Sequence, residues 1–210
     1  MPSVEGVFLP VTTPFKGDDV ATDRLAANLR HWNATKLSGY VVLGSTGEFP
    51  MLSEAERDRV LVAAREAIPR DKTFLAGTGA NSTLHTIRQT KRAAEIGADA
   101  ALVITPHYFT KGFSQAAAQV RHYMAVADAS PIPIMLYNFP LNTGINLEAE
   151  TVARIAGRGP VRQRRSQSGA RPPGMVRRPL SRAAGHPGRR RHRGHQGSAR
   201  HGGAALGGWE

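Results

Sequence analysis

Short apolar runs end near residues 44, 77, 105 and 137, so a strand-like segment recurs roughly every thirty residues, the size of a βα unit with its loop. The runs are Gly6–Val11, Tyr40–Gly44, Thr73–Gly77, Ala100–Thr105 and Ile132–Tyr137. They are rich in Val, Ile, Leu or Ala and lack polar alternation, as expected for strands covered on both faces. Segments with helical periodicity lie between them. One opens with Ser53-Glu54-Ala55-Glu56, a capping box, and closes at Pro69. The next begins near Asn81-Ser82 and ends at Gly97, and a third begins at Ser114 and sets Val120, Met124 and Ala127 on one face. A last one carries Leu147, Thr151, Val152 and Ile155 before Gly157, which fits a C-terminal cap.

Five parallel βα units are thus expected, and both doubly wound sheets and (β/α)8 barrels are built from such units. Dinucleotide binding needs a Gly-rich turn directly after the first strand, where this chain has "PVTTPFKGDD". Its nearest pattern, "GTGANS" at Gly77, lacks the last Gly and follows the third strand.

Charge divides the 210 residues into two parts. Residues 1–160 hold 16 of the 28 Lys+Arg and 15 of the 16 acids, a balance of +1. Residues 161–210 hold 12 Arg, no Lys and one acid, a balance of +11. This second stretch is rich in Gly and Pro and shows no period, so a disordered basic tail (160–210) is expected to follow a folded domain (1–159). No basic-then-apolar leader and no run long enough to span a bilayer stands out, so a cytoplasmic location is expected. The chain has no cysteine, which excludes a thiolate nucleophile or thiolate metal site within it.

In an α/β barrel the reacting groups stand at the C-terminal ends of strands. Those ends read "GSTGEFP" (Gly44–Pro50), "TPHYF" (Thr105–Phe109) and "YNFPLNTG" (Tyr137–Gly144). The first presents the hydroxyls of Ser45 and Thr46 beside backbone amides, a way to hold a small carboxylate; it also reads as an ordinary βα turn. Tyr108 and Tyr137 fall on the same end. Taken singly, each also reads as a core tyrosine with a solvated hydroxyl.

Together, "GSTGEFPMLSEAER", "TPHYF" and "LYNFPLNTG" resemble the dihydrodipicolinate synthase and N-acetylneuraminate lyase family of pyruvate-dependent class I aldolases, over about Val4 to Gly159. The resemblance implies a (β/α)8 TIM barrel, here incomplete at about five units. It also implies a lysine on the sixth strand that forms a Schiff base with the keto carbon of pyruvate or a related 2-oxo acid. No metal or organic cofactor is implied. Ser45 and Thr46 would hold the pyruvyl carboxylate, Thr46 would also relay protons, and Tyr137 would be the acid/base. Tyr108 would reach across a tight dimer interface to a neighbour's hydroxyl relay, and a dimer or tetramer is the family's assembly. Asn142, Thr143 and Gly144 would line the substrate site.

Synthases that condense pyruvate with aspartate semialdehyde carry "P-x-R-T-G" where this chain has Pro140-Leu141-Asn142-Thr143-Gly144. Asn142 cannot offer a second carboxylate the bidentate ion pair of an arginine. This favours the 4-hydroxy-2-oxoglutarate aldolase and sugar-acid branches, with dihydrodipicolinate synthase proper, an enzyme of lysine biosynthesis, as the alternative.

The Schiff-base lysine is expected a little under thirty residues after Tyr137. The chain there reads "VRQRRSQSG" (161–169), and arginine has no free amine to add to a carbonyl. The five lysines are Lys16, Lys36, Lys72, Lys91 and Lys111, none of them at the C-terminal end of an expected core strand. Catalysis is therefore expected to be lost or severely impaired.

Two explanations address the tail. It is either an Arg/Gly-rich segment that binds nucleic acid through phosphate contacts, or the product of a changed reading frame near residue 160. Shifted reading of GC-rich DNA yields Arg, Gly, Pro and Ala, and 161–210 contains no Lys, Ile, Phe or Tyr, which favours the frame change. His186, His192, His195 and His201 lack carboxylates to orient them as a metal site. With three units absent, the first and last strands would be open edges, and poor solubility, partial folding and a compromised tetramer are expected.

Overall fold

The computed structural model describes residues 4–157. The tail expectations, including the four histidines, the 161–169 window and the frame change, lie outside the described residues.

Five strands form one all-parallel sheet: β1 (Phe8–Pro10), β4 (Gly39–Val42), β5 (Thr73–Gly77), β6 (Ala100–Ile104) and β7 (Ile134–Tyr137), in the order β1-β4-β5-β6-β7. Each consecutive pair is joined through a helix: α1 (Thr22–Asn33), α2 (Glu54–Ala67), α3 (Thr83–Ile96) and α5 (Ala116–Ala129). This sequential, one-directional winding is that of a (β/α)8 barrel carried through five units. Among the described residues β1 and β7 are the free edges.

Two small features were not anticipated. β2 (Phe15–Lys16) and β3 (Asp19–Val20) form an antiparallel ribbon in which Gly17 turns with φ 61°, a conformation that suits glycine at the first position of a two-residue hairpin turn. A single-turn helix, α4 (Thr110–Phe113), precedes α5.

Local signals explain most element ends. Ser53 and Glu56 form the capping box, with Ser53 N donating to Glu56 Oε2 at 2.8 Å and Glu56 N to Ser53 Oγ at 3.3 Å. Hydrogen bonds from Ser53 hold the Glu56 carboxyl below its ordinary range. α3 starts on Ser82 and ends on Gly97, whose left-handed backbone (φ 106°) lets its N–H reach the Ala93 and Ala94 carbonyls. β7 starts two residues later than expected. Pro133 has no N–H, and the Ser130 hydroxyl ties up the Ile132 carbonyl at 2.5 Å.

The face assigned to the Ser114 helix is corrected. α5 begins at Ala116 and buries Gln119, His122, Tyr123 and Val126, while Ala127 is exposed. Three of the four buried residues are polar or amphipathic, and each finds a partner. Gln119 Nε2 donates to the Asn146 carbonyl (3.1 Å), His122 Nδ1 pairs with Thr83 Oγ1 (2.9 Å), and the Tyr123 hydroxyl pairs with Thr105 Oγ1 (3.1 Å). The last helix, α7 (Ala149–Ala156), buries Thr151 and leaves Val152 exposed; Gly157 caps it as expected, in a right-handed conformation that does not require glycine.

The core divides between two apolar clusters. The larger joins Leu25 and Leu29 of α1, Tyr40 and Val42 of β4, Val60 and Leu61 of α2, and Phe74 of β5. Full burial of a leucine such as Leu25 stabilises by roughly 1.5–3 kcal/mol. The smaller joins Ala101 and Val103 of β6 with Tyr123, Val126 and Leu147.

Candidate active site

The C-terminal ends of β4 and β7 converge on one pair of hydroxyls. After β4 the chain makes a single 3-10 turn, Ser45–Gly47, and Ser45 Oγ lies 3.3 Å from the Tyr137 hydroxyl at the end of β7. Ser45 and Tyr137 are both half-buried, and the Tyr137 ring stacks on Phe139 at 5.5 Å. Thr46 sits next to Ser45 on the same turn, exposed.

Backbone strain and one buried side chain fix this turn. Leu43 and Glu48, the non-glycine residues that flank it, both adopt left-handed backbones (φ 58° and 53°), a conformation disfavoured outside glycine. The Leu43 bend is possible because Gly77 at the end of β5 has no side chain; a Cβ there would run into the Leu43 carbonyl. The bend also ends β4 at Val42, two residues short of the Gly44 expected from apolarity. From the other side the buried Thr13 donates its hydroxyl to the Gly47 carbonyl at 2.7 Å. Thr13, in "PVTTPF", was not singled out from the sequence; hydroxyl residues between the first strand and a turn were its only signal.

Tyr108 lies on the loop after β6 and is 75% exposed, its ring edge-on to Phe109 at 5.0 Å. No hydrogen bond or ring contact joins it to Ser45 or Tyr137 among the described residues. Its loop is held by Asn81, whose Oδ1 accepts from the backbone N–H groups of both His107 (2.8 Å) and Tyr108 (3.0 Å).

Asn142 lies on the short helix α6 (Pro140–Thr143) and is exposed, as is Gly144, which caps that helix with φ 66°. Thr143 is buried, and its hydroxyl serves the turn itself, donating to the Phe139 and Ile145 carbonyls at 3.0 Å each. The structure therefore brings Ser45 and Tyr137 together, with Thr46 beside Ser45 on the turn. Tyr108 stands outward, and the Thr143 side chain is turned into the loop.

None of the five lysines ends a core strand. Lys16 lies in β2, Lys36 follows α1, Lys91 is within α3 and Lys111 within α4. Lys72 precedes β5 at the opposite end of the sheet, its ammonium donating to the Leu37 (2.7 Å) and Thr35 (3.0 Å) carbonyls. A cavity of about 320 Å³ lies between α2 and α3, lined by residues including Arg57, His85 and Arg92; Ser45, Thr46 and Tyr137 are not among its walls. Among the described residues no cluster of three or more His, Cys, Asp or Glu could hold a metal ion, and no helix is long and apolar enough to cross a membrane.

Parallel βα units wound in one direction, with hydroxyls gathered at the strand C-termini, define part of a TIM barrel. Residues 3–160 match the dihydrodipicolinate synthetase family, and the chain belongs to that family. It is 38% identical to the 4-hydroxy-tetrahydrodipicolinate synthase of Thermomicrobium roseum over 80% of this chain and 54% of that protein. It is 44% identical to the synthase of the same name from Synechococcus sp. (strain CC9902) over 70% of this chain and 48% of that protein. Among solved structures, the chloride-inhibited dihydrodipicolinate synthase from Acinetobacter baumannii complexed with pyruvate superimposes with a TM-score of 0.69 at 35% identity, covering 73% of this chain and 52% of that one. The chain spans about half the length of the curated relatives it matches. They are named as synthases, which agrees with the alternative reading of the motifs more closely than with the sugar-acid branch.

Proposed function

We propose that this chain carries the 2-oxo acid end of a Schiff-base aldolase site and lacks the amine that would complete it. The observation that carries this reading is the 3.3 Å contact between Ser45 Oγ and the Tyr137 hydroxyl. In the proposed role Ser45 and Thr46 hold the carboxylate of pyruvate or a related 2-oxo acid. Tyr137 moves the proton at the imine and aldol steps, with Ser45 as its hydrogen-bonded neighbour. Tyr108, exposed in the single chain, reaches a second subunit, and Asn142 faces the acceptor substrate. The Schiff base itself requires a neutral amine at a strand end, so the chain alone is expected to be inactive. A changed reading frame near residue 160 accounts for the composition of 161–210. Resequencing codons 155–170 in independent isolates tests it, and an uninterrupted frame would remove that explanation.

On the acceptor side, Asn142 supports an aldehyde or sugar acid without a second carboxylate to pair, since an amide offers no ion pair. The second reading, condensation of pyruvate with aspartate semialdehyde, is favoured by the names of the relatives. A hybrid barrel in which residues 1–157 are fused to the C-terminal remainder of the Thermomicrobium roseum relative separates the two. Cleavage of 4-hydroxy-2-oxoglutarate without condensation of aspartate semialdehyde supports the first. Condensation alone supports the second, and a hybrid that is folded yet inactive toward both contradicts the aldolase reading.

A further inference from the structure

Tyr137 and Phe139 stand two positions apart where β7 ends, a spacing that sends both side chains to the same side of the chain. Their rings stack, with centroids 5.5 Å apart and planes inclined by 25°. This stack supplies an orientation that the Tyr137 hydroxyl does not obtain from its own hydrogen bond. The contact with Ser45 Oγ is 3.3 Å, longer than the usual O–H···O distance of about 2.7–2.8 Å, and a bond of that length aims a phenol only weakly. Among the described residues that hydroxyl has no other hydrogen-bond partner.

Phe139 is itself fixed by the short helix that follows it. Its carbonyl accepts from the backbone N–H groups of Asn142 and Thr143 and from the Thr143 hydroxyl, each at 3.0 Å. Pro140 comes next and limits the backbone conformations open to Phe139. The Thr143 side chain is enclosed in the turn: the residue is 3% exposed, and Ile145 N donates to its hydroxyl oxygen at 3.3 Å. Asn138, between the two rings in sequence, binds the returning chain instead. Its Nδ2 donates to Asn146 Oδ1 at 2.8 Å, and its Oδ1 accepts from Leu147 N at 3.1 Å.

Resting on the role proposed for Tyr137, we propose that Phe139 and Thr143 are positioning residues for its proton transfer. The Thr143 hydroxyl fixes Phe139, and the flat face of the Phe139 ring sets the direction of the Tyr137 hydroxyl toward Ser45. Thr143 thus acts through Phe139 and not by lining the substrate site. The alternative is a contact that only fills space. Leucine serves that purpose as well as phenylalanine, whereas aiming a phenol by stacking needs a flat ring.

The first arm of the test uses the full 210-residue chain and needs no catalysis. Nuclear Overhauser cross-peaks between the Tyr137 ring protons and the Ser45 β-protons report where the phenol points, with Tyr137 assigned through Tyr137→Phe. The cross-peak is expected in the unaltered chain and in Phe139→Tyr, which keeps the ring. It should fall severalfold in Phe139→Leu, which fills the space without a ring, and in Thr143→Val, which keeps the shape and loses the hydroxyl. The amide spectrum of β4 to β6 shows whether each variant is folded; where Phe139→Leu is not, Thr143→Val decides. In the hybrid barrel, Phe139→Leu and Thr143→Val should lower kcat about ten- to a hundredfold, as a misplacement of about 1 Å does. KM for pyruvate should stay within about twofold, because the carboxylate is held elsewhere. The double variant should be no slower than Phe139→Leu alone, since both changes act through one ring. An undiminished cross-peak in folded Phe139→Leu or Thr143→Val, or its absence from the unaltered chain, would overturn the proposal. So would an unchanged kcat in Thr143→Val, or losses that multiply in the double variant. A hybrid inactive in its unaltered form counts against the aldolase reading instead, and the cross-peak then decides the positioning by itself.

Discussion

Thr13 and Gly47, thirty-four positions apart, are joined by a 2.7 Å hydrogen bond from the Thr13 hydroxyl to the Gly47 carbonyl, and this bond holds the turn that carries Ser45 and Thr46. Thr13→Val keeps the shape of the side chain but leaves that carbonyl unpaired in a buried place. The cost is about 1–3 kcal/mol. In the hybrid barrel the variant should melt earlier and, if the proposed function holds, show a raised KM for pyruvate, because the turn proposed to hold the carboxylate is less fixed. An unchanged KM with a lowered Tm would make Thr13 a purely structural residue.

Gly77 and Leu43 constrain the same turn from beneath. Replacing Gly77 by Ala drives a methyl group into the Leu43 carbonyl, backbone against backbone, and neither side can rotate away. The expected loss exceeds about 2 kcal/mol. Gly44→Ala, where the nearest side-chain atom would be 3.3 Å from the new Cβ, should be milder. Comparing the urea midpoints of the two hybrid variants checks the order.

His122 makes stability depend on pH. It is 2% exposed, packed edge-on against Phe113 and Tyr123, and its Nε2 has no hydrogen-bond partner among the described residues. Burial pushes its pKa down from 6.5 to about 4. Between those values the unfolded chain binds a proton that the folded chain does not, so stability rises with pH there. The contribution is complete above about 6.5, is lost progressively as pH falls toward 4, and changes no further below that. His122→Leu should flatten this part of the curve. The measurement is the difference in unfolding free energy between the two hybrid proteins from pH 7 to pH 4, since carboxylates contribute equally to both.

Much of the fold was legible because its signals are local. The apolar runs, the Ser53–Glu56 box and the Ser82 and Gly97 ends are each settled within a few residues; the structure places the box and the two helix ends as read and puts a strand in every run, with bounds that shift by up to two residues. The reading failed where distant partners decide. The inner face of α5 is built from Gln119, His122 and Tyr123, polar groups that hydrophobic periodicity assigns to solvent. They face inward because Asn146, Thr83 and Thr105, eighteen to thirty-nine positions away, complete their hydrogen bonds. At the site, the motifs named the residues that meet, Ser45 and Tyr137. They did not show the Leu43 bend, the Thr13 bond or the inward use of the Thr143 hydroxyl, since each depends on atoms brought together only by the sheet or by a tight turn.

The central claim is that the hydroxyl half of a Schiff-base site is present here without its amine. Incubating the 210-residue chain with pyruvate, reducing with borohydride and measuring the intact mass tests this most directly. The account predicts an unchanged mass. A reduced pyruvyl adduct on Lys16, Lys36, Lys72, Lys91 or Lys111 would contradict it.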